Sequence, residues 1–223
     1  SYMSNKRLIV ALDTNNISKA KEIASHLNPK HCMVKVGLEL FISQRENILD
    51  YLSSKDFEIF LDLKLHDIPN TVSKALKAIQ EFNVSMTTIH LKGGKDMVKA
   101  ASESAGDIKL LGVSILTSLS EKEIENTYGV TFDNLFQRLL HIVNDSKIDG
   151  IVCSPHELKL LENINKIKVV PGIRNQVTGD DQRRVMSSSE AYALGADFIV
   201  VGRPITEALD IKKELAEYLW EIS

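Results

Sequence analysis

The run Phe60-Leu61-Asp62-Leu63-Lys64-Leu65-His66-Asp67 places two carboxylates around one ammonium within a few residues. Successive side chains of a strand point to opposite faces. If this run is extended, Asp62 and Lys64 share one face, Leu61 and Leu63 take the other, and Asp67 follows in the loop. Neighbouring carboxylates stabilise the ammonium form of a lysine, so Lys64 is expected to stay protonated. That disfavours a Schiff-base nucleophile, which needs an uncharged amine. It suits a general acid, or a cation set against a carbon that gains negative charge. Lys35 extends the pattern to an alternating row, Lys35–Asp62–Lys64–Asp67. On an ordinary surface such a row reads as salt bridges of little consequence; at the catalytic end of a fold it reads as chemistry.

A second group of residues suits an anion. Phe198-Ile199-Val200-Val201 is an apolar run that passes into Gly202-Arg203-Pro204. Glycine lets a phosphate approach backbone N–H groups, and arginine adds a two-pronged clamp. Pro171-Gly172-Ile173-Arg174 is a similar turn, followed by a polar stretch with Gly179, Asp180, Asp181 and Gln182. Arg174 and Gln182 are therefore expected on a lid that folds over the phosphate.

These residues need a scaffold, and the rest of the chain describes one. Eight apolar runs rich in Val, Ile and Leu are predicted as strands at 8–13, 32–37, 58–64, 86–91, 109–116, 150–154, 168–173 and 198–202. Near-continuous hydrophobicity is the mark of parallel strands buried on both faces. Between them, apolar residues recur every third or fourth position: Ile17, Ala20, Ile23, Ala24 and Leu27; Val72, Ala75, Leu76, Ile79 and Phe82; Ile211, Leu215, Tyr218, Leu219 and Ile222. Each set makes one helical stripe, and Pro69 suits a first helical turn. Repeated β-α-β units demand a parallel sheet. Eight of them in 223 residues favour an α/β (β/α)₈ TIM barrel, a single domain spanning 1–223, with Ser1-Tyr2 ahead of Met3 read as an expression remnant.

In such barrels the active site forms at the C-terminal ends of the strands. Those ends carry Asp13, Lys35, Asp62 with Lys64, His90, Thr117, Ser154, Arg174 and Gly202-Arg203. A barrel core has no structural use for so many ionic groups, because an unpaired buried charge costs several kcal/mol. His90 is read as a wall residue and His66 as a residue that orients the loop. Ser120–Glu125 reads as a solvated helix start, Arg183 and Arg184 as helix charges, and Trp220 as packing against the barrel underside.

Composition narrows the partners. With 27 basic and 30 acidic residues the net charge is −3, which gives no reason to expect nucleic acid or an anionic membrane. Hydrophobic residues at 43% and charged residues at 26% describe an ordinary globular chain. Cys32 and Cys153 lie in apolar runs without metal-type spacing and read as buried reduced thiols. No apolar run approaches the ~20 residues needed to cross a bilayer. No signal-peptide core is seen, since Leu8–Leu12 meets Asp13 at once, so the cytoplasm is expected.

The stretch 60–71, FLDLKLHDIPNT, closely resembles the signature of the bacterial-type orotidine 5'-monophosphate decarboxylases. The likeness covers nearly the whole chain: Val10-Ala11-Leu12-Asp13, Lys35-Val36-Gly37, Ile115-Leu116-Thr117-Ser118, Pro171-Gly172-Ile173-Arg174, residues 179–184 and Val201-Gly202-Arg203-Pro204. It implies decarboxylation of orotidine 5'-monophosphate to uridine 5'-monophosphate (UMP), the last step of de novo pyrimidine synthesis, with no metal and no cofactor. Lys64 would protonate C6 of the ring after carbon dioxide leaves, and Asp62 would lie against the substrate carboxylate. Asp67 would hold the lysine row, and Thr71 would contact ribose, both from the neighbouring subunit of a homodimer. Lys35 and Asp13 would bind ribose hydroxyls, Thr117 the pyrimidine edge, and Arg174, Gln182, Gly202 and Arg203 the phosphate. Leu91-Lys92-Gly93-Gly94 departs from the family pattern, which has small residues after His90. Two other readings stay open. One is a magnesium-dependent sugar-phosphate decarboxylase or aldolase of the same suprafamily, which would place an acidic metal ligand where this chain has Lys35. The other is a barrel that binds a nucleotide without turning it over.

Overall fold

The computed structural model describes residues 6–116, 118–176 and 185–219. Eight strands alternate with helices: β1 (Leu8–Ala11), α1 (Ile17–Ser25), β2 (Cys32–Val36), α2 (Leu38–Gln44), α3 (Glu46–Ser54), β3 (Ile59–Leu65), α4 (Pro69–Ile79), β4 (Met86–His90), α5 (Lys95–Ser104), β5 (Lys109–Val113), α6 (Glu121–Tyr128), α7 (Phe132–Asn144), β6 (Gly150–Val152), α8 (Pro155–Leu158), β7 (Ile167–Val170), α9 (Ser188–Ala193), β8 (Phe198–Val201), α10 (Arg203–Thr206) and α11 (Ile211–Ala216). Every strand pairs in parallel with its neighbours in chain order, and β8 returns to β1, so the sheet closes. The (β/α)₈ expectation is met.

The alternation of side chains divides the core into two layers. Ile9, Ala11, Met33, Phe60, Met86, Leu111, Val169, Phe198 and Val200 fill the inside of the barrel. Val10, Val34, Leu61, Ile89, Ile151 and Ile199 face outward, where Ala20, Ile23, Leu49, Val72, Leu76, Val98 and Phe136 of the helices cover them. The expected stripes of α1 and α4 are the buried faces of those helices, and Pro69 opens α4 at its first turn. Ser120 caps α6 in a reciprocal capping box with Glu123, so the acidic run there is a solvated helix start. Cys32 and Cys153 are buried free thiols; burial pushes Cys32 up to about 12. Among the described residues, no helix is long and apolar enough to cross a membrane.

Several boundaries differ from expectation, β6 ending at Val152 and β7 at Val170 among them. β1 ends at Ala11 and β5 at Val113, while Leu12, Ser114 and Ile115 stay buried beyond the strand ends. The final helix stops at Ala216 instead of running to 222. Past its end Tyr218 is held by distant parts of the chain: its hydroxyl accepts from Asn175 N–H at 3.0 Å, and the Tyr192 hydroxyl donates to Tyr218 O at 3.0 Å. Trp220 lies outside the described residues.

Candidate active site

The inward faces of β1, β2 and β3 rise out of the apolar interior into a charged layer. Above Ile9 and Ala11 stands Asp13; above Met33, Lys35; above Phe60, Asp62 and Lys64. Lys64 Nζ donates to Asp62 Oδ2 at 2.7 Å. Lys35 Nζ lies 3.6 Å from the same oxygen and 3.7 Å from Asp13 Oδ1. Gly37 adjoins this ammonium: a β-carbon there would make ordinary contact with Lys35 Nζ at 3.5 Å. The row within one chain is therefore Asp13–Lys35–Asp62–Lys64.

Asp67 does not reach the row within its own chain: it is exposed, and its Oδ1 accepts from the N–H of Ile68 at 2.7 Å. The chain turns away after Leu65, and Thr71 is likewise exposed on the first turns of α4.

Asp62 is the hinge of the arrangement. Its side chain is 8% exposed and both oxygens are engaged, Oδ2 by the two lysines and Oδ1 by the Thr88 hydroxyl at 2.7 Å. Burial works against its charge, but Lys35 and Lys64, with the hydrogen bonds from Lys64 and Thr88, outweigh it and hold the carboxyl below its usual range. Thr88 escaped notice in the sequence, where Met86-Thr87-Thr88-Ile89 reads only as a strand. Its inward position between Met86 and His90 was the available signal.

Thr88 also holds the backbone. Lys64 sits at φ 49°, in the left-handed region that costs a residue with a β-carbon of order 1–3 kcal/mol. The register of β3 against β4 shifts between Leu61 and Leu65, and the Lys64 N–H donates to Thr88 Oγ1 at 2.9 Å. The irregularity re-aims the end of β3, as bulges beside active sites do.

His90 completes the wall. Its ring is 5.5 Å from that of His66. Burial first, then the positive Lys92, His66 and Lys64, lower its pKa to about 4 in spite of Asp62, so it is a neutral imidazole at neutral pH. Its Nδ1 is buried without a hydrogen-bond partner.

On the far side of the mouth, the ends of β5, β6 and β7 line a cleft of about 600 Å³ with Ile115, Leu116, Ser154, Pro155 and Pro171. Gly202 follows β8 beside the start of the barrel; a β-carbon there would stand 3.6 Å from Asp13 Oδ2. Arg203 opens α10 and is exposed. Arg174 is half-buried past an isolated bridge between Ile173 and Met186. Thr117 and Gln182, with Arg183 and Arg184, lie outside the described residues.

Residues 6–218 match the family model described as Orotidine 5'-phosphate decarboxylase / HUMPS family. The chain belongs to this family. It is 41% identical over 212 residues to an orotidine 5'-phosphate decarboxylase of Chromobacterium violaceum, covering 91% of this chain and 86% of that one. It is 40% identical over 226 residues to the enzyme of that name from Pseudomonas savastanoi pv. phaseolicola, covering 97% of each. The crystal structure of orotidine 5'-phosphate decarboxylase from Lactobacillus acidophilus superposes with a TM-score of 0.83 at 35% identity, covering 96% of this chain and 99% of that one.

Membership of the orotidine 5'-phosphate decarboxylase / HUMPS family leaves the metal-dependent reading to be weighed on the geometry. Lys35 Nζ stands between Asp13 and Asp62 at 3.7 and 3.6 Å, where a divalent ion would need to bridge carboxylates. An ammonium there repels a cation, so these residues do not fit a magnesium site.

Proposed function

We propose that this enzyme decarboxylates orotidine 5'-monophosphate to UMP, the closing step of de novo pyrimidine synthesis, with Lys64 as the proton donor. The observation that carries the reading is the Lys64 ammonium, anchored at 2.7 Å on a buried carboxylate at the mouth of an apolar barrel. The C6–carboxyl bond breaks, carbon dioxide leaves, and the electron pair stays on C6. A proton then passes from Lys64 Nζ to C6, and the neutral amine regains one from solvent. A vinyl carbanion has little delocalisation, so the lever left to the protein is a preorganised cation at that carbon. Asp62, held ionised, aims Lys64 and lies against the departing carboxylate.

The remaining roles follow the same layout. Asp13 and Lys35 bind ribose hydroxyls; Thr117 touches the pyrimidine edge; Arg174, Gln182, Gly202 and Arg203 hold the phosphate. Binding energy from the phosphate serves to close the lid and order the ring. No metal or cofactor is assigned. The enzyme acts as a homodimer in which Asp67 and Thr71 complete the neighbour's site. The exposed Leu38, Ile42 and Ile68, on the adjoining connections after β2 and β3, support this with apolar surface beside those residues. Buried reduced thiols suit the cytoplasm. The chain forms one domain.

The test is the ultraviolet absorbance of orotidine 5'-monophosphate mixed with the protein in a chelator. Loss of the orotate band supports the reaction. An intact band at every enzyme concentration leaves a binding barrel, and a strict magnesium requirement overturns the metal-free reading.

A further inference from the structure

Glu157 is a charged residue that the reaction does not use. It is buried to 1% exposure on α8, in the wall of the cleft at the ends of β5 to β7. Its two oxygens reach different strands. Oε1 accepts from the N–H of Ser154, at the end of β6, at 2.8 Å. Oε2 accepts from the Ser114 hydroxyl, just past β5, at 2.5 Å. The Glu157 N–H in turn donates to Ser154 Oγ at 3.1 Å, so the capping box of α8 holds the carboxylate in place. The last β5–β6 pair in the ladder is Val113 with Val152. Beyond it the strands part, and the Ser114–Glu157–Ser154 bridge continues the connection where backbone pairing has ended. Burial raises the carboxyl's pKa, and the bonds from Ser114 and Ser154 lower it.

The bridge is part of the cleft wall, which Ile115, Leu116, Ser154, Pro155 and Glu157 line. The charged row occupies β1 to β3, and the Gly202-Arg203 turn follows β8. A nucleotide with its ribose at Asp13 and Lys35 and its phosphate at Arg203 presents its ring edge toward β5 and β6. We infer that Glu157 is a positioning residue for substrate recognition, which ties the ends of β5 and β6 into a fixed wall against the pyrimidine base. The inference rests on the proposed nucleotide chemistry. It assigns Glu157 no contact with the ligand; it acts through Ser114 and Ser154.

The experiment compares two ligands in the full-length protein. UMP uses the base wall, whereas ribose 5-phosphate carries the sugar and phosphate alone. Glu157→Ala strands a hydroxyl and an N–H, so UMP affinity should fall about tenfold or more while ribose 5-phosphate binds as in wild type. Glu157→Gln keeps the shape and both hydrogen bonds and should recover UMP affinity to within about threefold. Ser114→Ala cuts only the link to β5 and should weaken UMP in the same direction; it carries the test if Glu157→Ala does not fold. Equal weakening of both ligands would reveal a merely structural group and overturn the inference, as would unchanged UMP binding in both Glu157→Ala and Ser114→Ala. Wild-type protein that binds UMP but leaves the orotate band intact fails the proposed reaction instead, and the comparison of ligands still stands on binding alone.

Discussion

Replacing Lys64 with alanine removes the ammonium proposed to act on the reacting carbon, and Coulomb's law sets the size of the expected loss. A unit charge about 4 Å from another, at the effective dielectric near 20 that describes partly buried sites, contributes about 4 kcal/mol. That is about 10³ in rate if the carbon bears charge only in the transition state. A positioned general acid contributes a further ~10²–10⁴. The donor and the cation are one group, so the terms overlap, and about 10⁵ in kcat is the expected loss. The fold should survive. Alanine retains the β-carbon and meets the same φ of 49° that lysine already tolerates, and Asp62 keeps Lys35 at 3.6 Å and Thr88 at 2.7 Å. UMP should bind within about tenfold of wild type, because the residues proposed to hold ribose and phosphate are untouched. The assays are decay of the orotate band, a UMP titration and a thermal melt on the same preparation. Turnover within tenfold of wild type, with UMP bound and the melt unchanged, would refute the role of Lys64.

His90 should give stability a pH dependence. Its folded pKa of about 4 lies below the unfolded value of about 6.5, so between those limits the unfolded chain binds the proton and the folded one does not. Stability therefore rises with pH from about 4 to 6.5 and levels off above, by up to about 3 kcal/mol; thermal melts at pH 4.5 and 7 should converge in His90→Asn, and an unaltered difference would exclude His90 as the source. Phe60, 1% exposed inside the barrel, should cost about 3–5 kcal/mol as alanine, or about 6–20 °C in Tm for a chain of this size; a shift below about 3 °C would mean the interior repacks. Lys64→Ala and Asp67→Ala subunits, each inactive alone, should regain about a quarter of wild-type turnover after random mixing, since half the dimers carry one intact site. Failure to regain activity would argue against a shared site.

The barrel was legible because each strand is buried on both faces and each helix on one, so the two periods separate cleanly along the chain. Strand ends were less so. The run Ser114-Ile115-Leu116 is as apolar as a strand, yet it leaves the ladder at Val113. Ile115 is buried against the mouth without pairing, and burial without pairing looks the same in a sequence. Lys35 and Asp62 could be read because the period of two sends both inward. Glu157 could have been read as a capping residue from Ser154-Pro155-His156-Glu157, but nothing local says that its second oxygen reaches Ser114, 43 residues away.

Lys64 shows why such sites resist sequence reasoning. Its placement depends on a positive φ that no glycine announces, on a register shift that only a neighbouring strand can define, and on a threonine 24 residues later that bonds both its N–H and its carboxylate partner. Each feature is unfavourable or neutral alone. A left-handed lysine costs free energy, and a buried carboxylate costs more unless it is paired. Together they fix an ammonium over an apolar barrel, and the paired strands of the closed sheet below offset the cost. A flexible Lys64 on a relaxed strand would pair with Asp62 as well, but would have to be reoriented at every turnover. Strain held by Thr88 at the end of β3 is thus the structural form that preorganisation takes in this chain.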